Sequence, residues 1–206
     1  MKQVSFLKGG QVIDPHQESL ITYSRPGDAW GKLGNQACGF PFEALGRIWK
    51  NSEFLYLAGR WSMENQADTQ KDICSAPSGY AARRFKYAKH QKTMRKDFES
   101  FKQDWMLWGI WQKVRGNKDF LELLLSTGDA TIAEVEKKDR VWALVREADG
   151  LLRGANGMGK ILMLCRNCLR KGTEPQIDYD LLNKSNIFIF GERVQFCTHP
   201  TLRQAT

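Results

Sequence analysis

The chain has 206 residues, enough to bury one good core but few for two independent domains. Hydrophobic residues make up 42% and charged residues 26%, with seven Trp, which argues against a disordered chain. The formal charge of +8 favours partners such as nucleic acid or a phosphorylated ligand, although solubility alone also accounts for it. We therefore predict one globular domain over residues 1–206.

Cysteine usage and hydropathy predict the compartment. The five Cys are an odd number, and the chain opens on MKQVSFLKGG, without the apolar stretch of a signal peptide. No run approaches the roughly 18 apolar residues that a membrane span needs. We expect a cytoplasmic protein with reduced thiols and no membrane partner.

The first half of the chain changes in character along its length. The first 50 residues, rich in Gly and Pro, are typical of loops and brief strands, and Ser52 is predicted to cap a short helix through Ala58. Polar sequence follows to Pro77. Helix formers begin at about Gly79, and large aromatic residues at spacings of three and four predict one buried helix face: Phe98, Phe101, Trp105 and Trp108.

Two further apolar helices and a hairpin are predicted in the second half. DFLELLLS ends at Gly128, and GKILMLCRNCLRKG ends in basic residues and Gly172. Segments 187–190 and 193–197 flank Gly191 and Glu192, a two-residue turn with Gly first. The predicted class is therefore α+β, mainly helical, with small β elements and a C-terminal hairpin.

The segment GANGMGK (154–160) has the spacing of a phosphate-binding loop through Lys160 and opens a helix. Ile161 stands where a nucleotide-hydrolysing loop needs Ser or Thr for magnesium. This disfavours an NTPase and leaves an anion cradle that includes Gly159 and Lys160.

Cys165 and Cys168 lie one helical turn apart without a second cysteine pair or suitably spaced histidines. Two buried thiols packing as small apolar groups are favoured over a zinc site. We expect no metal.

Basic and aromatic residues interleave in RRFKYAKHQKTMRKDF, where Lys86, Lys89 and Lys96 are expected on one helix face. A solvated face and a nucleic-acid surface both explain this mixture. No Ser-His-Asp order, zinc-spaced His pair or dinucleotide fingerprint is present, so standard hydrolase and dehydrogenase interpretations are disfavoured.

Three blocks of the chain resemble the NADAR family. Leu33-Gly34-Asn35 followed by the series Gly46, Trp49, Ser52, Glu53, Tyr56 and Ala58 matches the first block. Lys86 falls on the family lysine of the second block. LLLSTGDATIAEVEKKDRVWA and GANGMGKILMLCRNCL resemble the third, and the resemblance covers about residues 30–170, with 173–206 as an extension.

The chain departs from the family pattern at four positions. Phe54 replaces a His, Leu57 a Gln, Phe98 a Trp and Ala143 a Gly. These departures bear on substrate choice.

The resemblance implies an N-glycosidase that hydrolyses the bond between a ribose C1 and a base amine, without a cofactor. It implies Glu53 and Lys86 as catalytic residues, with Lys86 either attacking C1 or holding a phosphate. The implied substrate-binding residues are Asn35, Trp49, Glu134, Asp139, Trp142, Asn156, Gly159 and Lys160. The two Trp are equally well explained as core residues, and the two acidic residues as partners of surface lysines.

The resemblance implies two candidate substrates, and positive charge favours the first, ADP-ribosylated guanine in DNA, which implies an antitoxin or phage counter-defence role with a cognate toxin as partner. A phosphorylated ribosylamino pyrimidine of riboflavin synthesis is the alternative substrate. A module that binds ADP-ribose or nucleic acid without turnover is the alternative from another class.

Overall fold

The computed structural model describes residues 7–197. Its strands are short: β1 Gln11–Ile13, β2 Leu20–Tyr23, β3 Phe42–Ala44, β4 Arg47–Trp49, β5 Thr131–Glu134, β6 Val145–Arg146, β7 Leu152–Gly154, β8 Phe188–Ile189 and β9 Glu192–Arg193. Its α-helices are α1 Ser52–Arg60, α2 Ala67–Cys74, α3 Gly79–Ala81, α4 Tyr87–His90, α5 Phe98–Gly116, α6 Lys118–Ser126, α7 Gly157–Lys171 and α8 Tyr179–Lys184. Ala82–Lys86 forms a π-helical turn, and 3-10 turns lie at Gly31–Leu33, Glu64–Gln66 and Gln91–Thr93. The predicted α+β class is confirmed.

The described residues form two compact units, each assembled from two stretches of chain. The first contains residues up to Gly34 and Lys118–Pro175, and the second contains Asn35–Asn117 and the residues from Gln176 onward. Within residues 7–197, no helix combines the length and apolar character needed to cross a membrane.

The first unit is built on two small sheets. β1, β7 and β6 form an antiparallel sheet in that order, and β2 pairs with β5 in parallel. Helix α7 packs on β5 so closely that a Cβ on Gly159 would lie 2.0 Å from the carbonyl oxygen of Ile132. Only glycine fits at this crossing, which fixes how α7 lies on the strand.

The second unit is built around α5. Its aromatic stripe is buried as predicted, with Phe98, Phe101, Trp105 and Trp108 each at most 5% exposed. Trp105 Nε1 donates to the carbonyl oxygen of Leu55 at 3.1 Å, which ties α1 to α5. The β3–β4 hairpin also packs on α5, where Gly116 lies against Phe42.

Three details of the predicted elements need correction. Asn51, and not Ser52, caps α1, because its side chain accepts a hydrogen bond from Phe54 N at 3.2 Å. The polar stretch before Pro77 contains helix α2. The C-terminal hairpin is present, but Ile189 pairs with Glu192, so its turn residues are Phe190 and Gly191. The turn therefore lies one residue earlier than the sequence suggested, and both of its residues have positive φ.

Candidate active site

Glu53 lies in the first turn of α1 and is 5% exposed. Its Oε2 accepts a hydrogen bond from Asn35 Nδ2 at 2.8 Å, and its own N–H donates to the Asn35 carbonyl at 3.1 Å. A helix N-terminus favours negative charge, so the position stabilises the carboxylate. Asn35 and Glu53, both expected in the site, are therefore directly paired.

One polar atom of the Asn35 side chain makes no hydrogen bond within the described residues. Its Oδ1 is buried and finds no hydrogen-bond partner among the described residues. A buried acceptor without a partner costs about 1–3 kcal/mol, so a donor supplied by a ligand would stabilise it. Gly79 leaves little room nearby, since a Cβ there would lie 3.3 Å from Glu53 Cβ.

Lys86 is held by a carboxylate that the sequence did not point to. Its Nζ lies 2.6 Å from Asp72 Oδ1, while Lys89 and His90 both contact Asp72 Oδ2, at 3.0 and 2.7 Å. Hydrogen bonds from Lys86, His90 and Lys89 hold the pKa of Asp72 well below its usual range. Asp72 was missed because it lies on α2, in a stretch with no predicted element.

Trp49 is a buried residue of the second unit. Its indole Nε1 donates to the carbonyl oxygen of Ala44 at 2.9 Å, across the β3–β4 hairpin. Its ring is stacked on Phe190 with centroids 6.0 Å apart. These contacts account for Trp49 as a structural residue, and its substrate contact remains a prediction.

Asn156 and Gly159 belong to the first unit. Asn156 adopts the left-handed conformation, with φ of 53°, which Asn tolerates better than most residues. Its Nδ2 donates to Ile132 O at 3.0 Å, and its buried Oδ1 has no hydrogen-bond partner within the described part of the chain. The same is true of the amide oxygen of Asn35.

The start of α7 is only partly available to an anion. The N–H groups of Gly157 and Met158 already donate to the carbonyl oxygens of Val141 and Trp142, at 3.1 and 2.9 Å. Lys160 Nζ lies 3.5 Å from Gly9 O, and burial lowers the pKa of Lys160. An anion here would depend mainly on Lys160.

Glu134 is the last residue of β5, and the loop between β5 and β6 contains Asp139 and Trp142. Asp139 Oδ1 accepts hydrogen bonds from the backbone N–H groups of Val141 and Trp142, at 2.9 and 2.8 Å, and so shapes this loop. Glu134 pairs with Tyr23 in the parallel sheet. Burial, and secondly the charge of Glu134, raises the pKa of Tyr23 well above its usual value.

Lys113 is fully buried on α5, with its Nζ 5.4 Å from the centroid of the Phe40 ring. Burial lowers the pKa of Lys113 to about 7. Its position in the last turn of α5, where basic residues are usually exposed, gave no sign of this environment.

Burial bears on two of the alternatives that the sequence left open. Cys165 and Cys168 are both buried, and burial raises the pKa of each thiol, as expected for apolar packing. Among residues 7–197, no group of three His, Cys, Asp or Glu side chains is placed to hold a metal ion. Of the aromatic residues in the basic stretch, Phe85 is 63% exposed whereas Phe98 is 1% exposed.

Comparison with known proteins identifies the family. The NADAR domain model matches residues 22–170. The chain belongs to the NADAR domain family. The resemblance in the three sequence blocks is thus confirmed, and the matched region includes every residue that we expected in the site.

Named relatives are similar in sequence to this chain over most of its length. N-glycosidase YbiA of Escherichia coli (strain K12) is 28% identical over 153 residues, covering 74% of this chain and 90% of YbiA. YbiA of Shigella boydii serotype 4 matches equally. The NMR structure of E. coli YbiA superposes with a TM-score of 0.61 at 26% identity, covering 75% of this chain and 87% of that chain. The sequence led us to expect an N-glycosidase, and these relatives are named N-glycosidases.

Proposed function

We propose that this NADAR protein is an N-glycosidase that removes ADP-ribose from guanine in DNA. The observation that carries the proposal is the buried Glu53 carboxylate, bonded to an Asn35 amide whose oxygen has no hydrogen-bond partner among residues 7–197. The Glu53 carboxylate and the Asn35 amide oxygen are both hydrogen-bond acceptors, and they lie side by side. Ribose hydroxyl groups are donors, so this pair suits the recognition of a ribose ring.

Glu53 has the chemistry that the reaction needs. As the bond between C1 and the base nitrogen breaks, positive charge develops on the sugar, and a fixed carboxylate stabilises it. Water then forms the new bond to C1, and the departing amine takes up a proton. Because Glu53 is already oriented by Asn35 and by the helix start, little rearrangement is required.

Lys86 has two possible roles, and its ion pair bears on them. An imine mechanism requires the neutral amine, which would add to C1 of the ring-opened sugar and displace the base, after which water would hydrolyse the imine and release the sugar. In the resting protein Lys86 is ion-paired with Asp72 at 2.6 Å, an arrangement that suits a phosphate clamp. Borohydride trapping of a Lys86 adduct during turnover would establish the imine role.

The preference for a DNA substrate rests on charge. The chain carries 31 Lys and Arg against 23 Asp and Glu, and a net positive protein gains salt-dependent affinity from each phosphate it contacts. In this role the protein would reverse the modification made by a DNA-modifying toxin, as an antitoxin or a phage counter-defence protein.

The experiment compares wild type, Glu53→Gln and Glu64→Gln, the last an exposed acidic residue outside the site. Each protein is incubated with DNA bearing ADP-ribosylated guanine and, separately, with a phosphorylated ribosylamino pyrimidine. Released ADP-ribose or ribose phosphate is measured together with substrate binding. We expect release from DNA by wild type and Glu64→Gln, and a loss of about a hundredfold or more in Glu53→Gln with binding retained.

Other results would redirect the proposal. Turnover of the pyrimidine alone would assign the protein to metabolite clearance. Binding of ADP-ribosylated DNA without turnover by any variant would show a binding module and contradict the enzyme assignment.

A further inference from the structure

A cavity lies in the second unit, beside the β3–β4 hairpin. Its volume is about 520 Å³, within the range of small-ligand sites. Its walls include three aromatic rings and two cationic side chains: Trp49, Phe54 and Phe190, with Arg47 and Lys50. None of its eight lining residues is a carboxylate.

Phe190 is held in this wall in an unfavourable backbone conformation. Its φ is 52°, a region that costs an aromatic L-residue on the order of 1–3 kcal/mol. The fully buried Gln70 fixes the segment, because its Oε1 accepts from Phe190 N and its Nε2 donates to Ala58 O and Phe188 O at 3.0 and 2.9 Å. Gln70 thus fixes the position of the Phe190 ring in the cavity wall.

The Phe190 ring contacts the buried Trp49 and the cationic Arg47. Phe190 is stacked on Trp49, and the guanidinium carbon of Arg47 lies 4.5 Å from the Phe190 ring centroid. Arg47 also contacts Glu192 at 3.9 Å, but both side chains are solvent-exposed and such pairs are weak.

The cavity lining includes one thiol, that of Cys74, and it is uncharged. Burial raises the pKa of Cys74 to about 12 despite the lowering effect of Lys50 and Arg47, so the residue remains a thiol. Both positive charges are therefore available to a ligand rather than consumed by a thiolate.

We infer that this cavity binds a nucleotide, with the base against the aromatic and guanidinium surface and the phosphate between Arg47 and Lys50. Stacked rings with adjacent cations are the means by which proteins hold single nucleotides or single strands without sequence specificity. Phe190 lies beyond residues 22–170, so the segment that follows the NADAR match completes the site. Binding here requires no glycosidase reaction, although Trp49 is also one of the substrate-binding residues expected from the sequence.

The test measures binding of unmodified ligands, so that it stands apart from turnover. Deoxyguanosine monophosphate, deoxyguanosine and a labelled single-stranded oligonucleotide are titrated into wild type, Arg47→Gln, Lys50→Gln and Arg193→Gln. Arg193 is an exposed residue of the same C-terminal hairpin that does not line the cavity, and its substitution changes the net charge equally.

We expect the monophosphate to bind more tightly than the nucleoside, and Arg47→Gln and Lys50→Gln each to weaken phosphate-bearing ligands by at least about tenfold. Arg193→Gln should bind within about twofold of wild type. Monophosphate binding that depends on both residues would show that a free nucleotide suffices, and dependence seen only with the oligonucleotide would show that the site takes a DNA strand.

Equal affinities in all three variants would overturn the inference, because only net charge would then matter. Absence of binding by both phosphate-bearing ligands would overturn it as well. Glu53 is not one of the residues that line the cavity, so Glu53→Gln should bind these ligands as wild type does, whether or not the glycosidase proposal holds.

Discussion

Lys86 Nζ lies 2.6 Å from Asp72 Oδ1, so the lysine that matches the NADAR pattern is oriented by a carboxylate from α2. We expect Asp72→Asn to lower kcat by about tenfold or more, because Lys86 loses its ionic partner and is no longer held in place. Steady-state kinetics of ADP-ribose release test this.

Asp68→Asn is the matched control, since Asp68 lies on the same helix and pairs with the exposed Lys71. Its turnover should remain within about twofold of wild type. An Asp72→Asn enzyme with unchanged kcat and KM would show that Lys86 does not depend on this pair.

Asn35 supports Glu53 through a buried hydrogen bond to a carboxylate, a type worth about 1.5–3 kcal/mol. We expect Asn35→Ala to destabilise the protein by about that amount and to reduce kcat at least about tenfold. Urea unfolding and kinetics measure the two effects. Asn65→Ala, at an exposed position, is the control, and full activity in Asn35→Ala would remove Asn35 from the site.

Gly159 is predicted to be indispensable for the packing of α7 on β5. A Cβ would lie 2.0 Å from Ile132 O, a backbone atom that cannot move aside cheaply. We expect Gly159→Ala to destabilise the protein by about 3 kcal/mol or more. Gly10→Ala, with no atom within 4 Å of the added Cβ, should change the free energy of unfolding by less than about 1 kcal/mol. Similar unfolding midpoints for the two variants would contradict this account.

Lys113 predicts a pH-dependent stability. Because burial lowers its folded pKa to about 7 from 10.5, the unfolded chain binds one more proton between these values. The contribution of Lys113 to the free energy of unfolding is therefore lowest at and below pH 7. It rises towards pH 10.5 by on the order of a few kcal/mol.

Lys113→Met lacks this titration, so its stability relative to wild type should be highest near pH 7 and decline as the pH rises. Denaturant unfolding of both proteins at pH 7, 8.5 and 10 measures the difference. A difference that stays constant over this range would show that Lys113 does not titrate there.

The sequence by itself determined the elements whose signals are local. The spacing of Phe98 to Trp108 predicted the buried face of α5, and Gly172 the end of α7, because helix periodicity and capping depend on residues a few positions apart. The NADAR motif likewise identified the family and pointed to Glu53, whose motif neighbours Ser52 and Tyr56 lie on the same short helix.

Only the tertiary structure decided which distant groups meet. Asp72 reaches Lys86 across 14 positions and Gln70 reaches Phe190 across 120, and neither contact has a local sequence signature. The burial that lowers the pKa of Lys113 likewise comes from elements folded around α5. These features follow from packing, which joins side chains that periodicity and propensity treat independently.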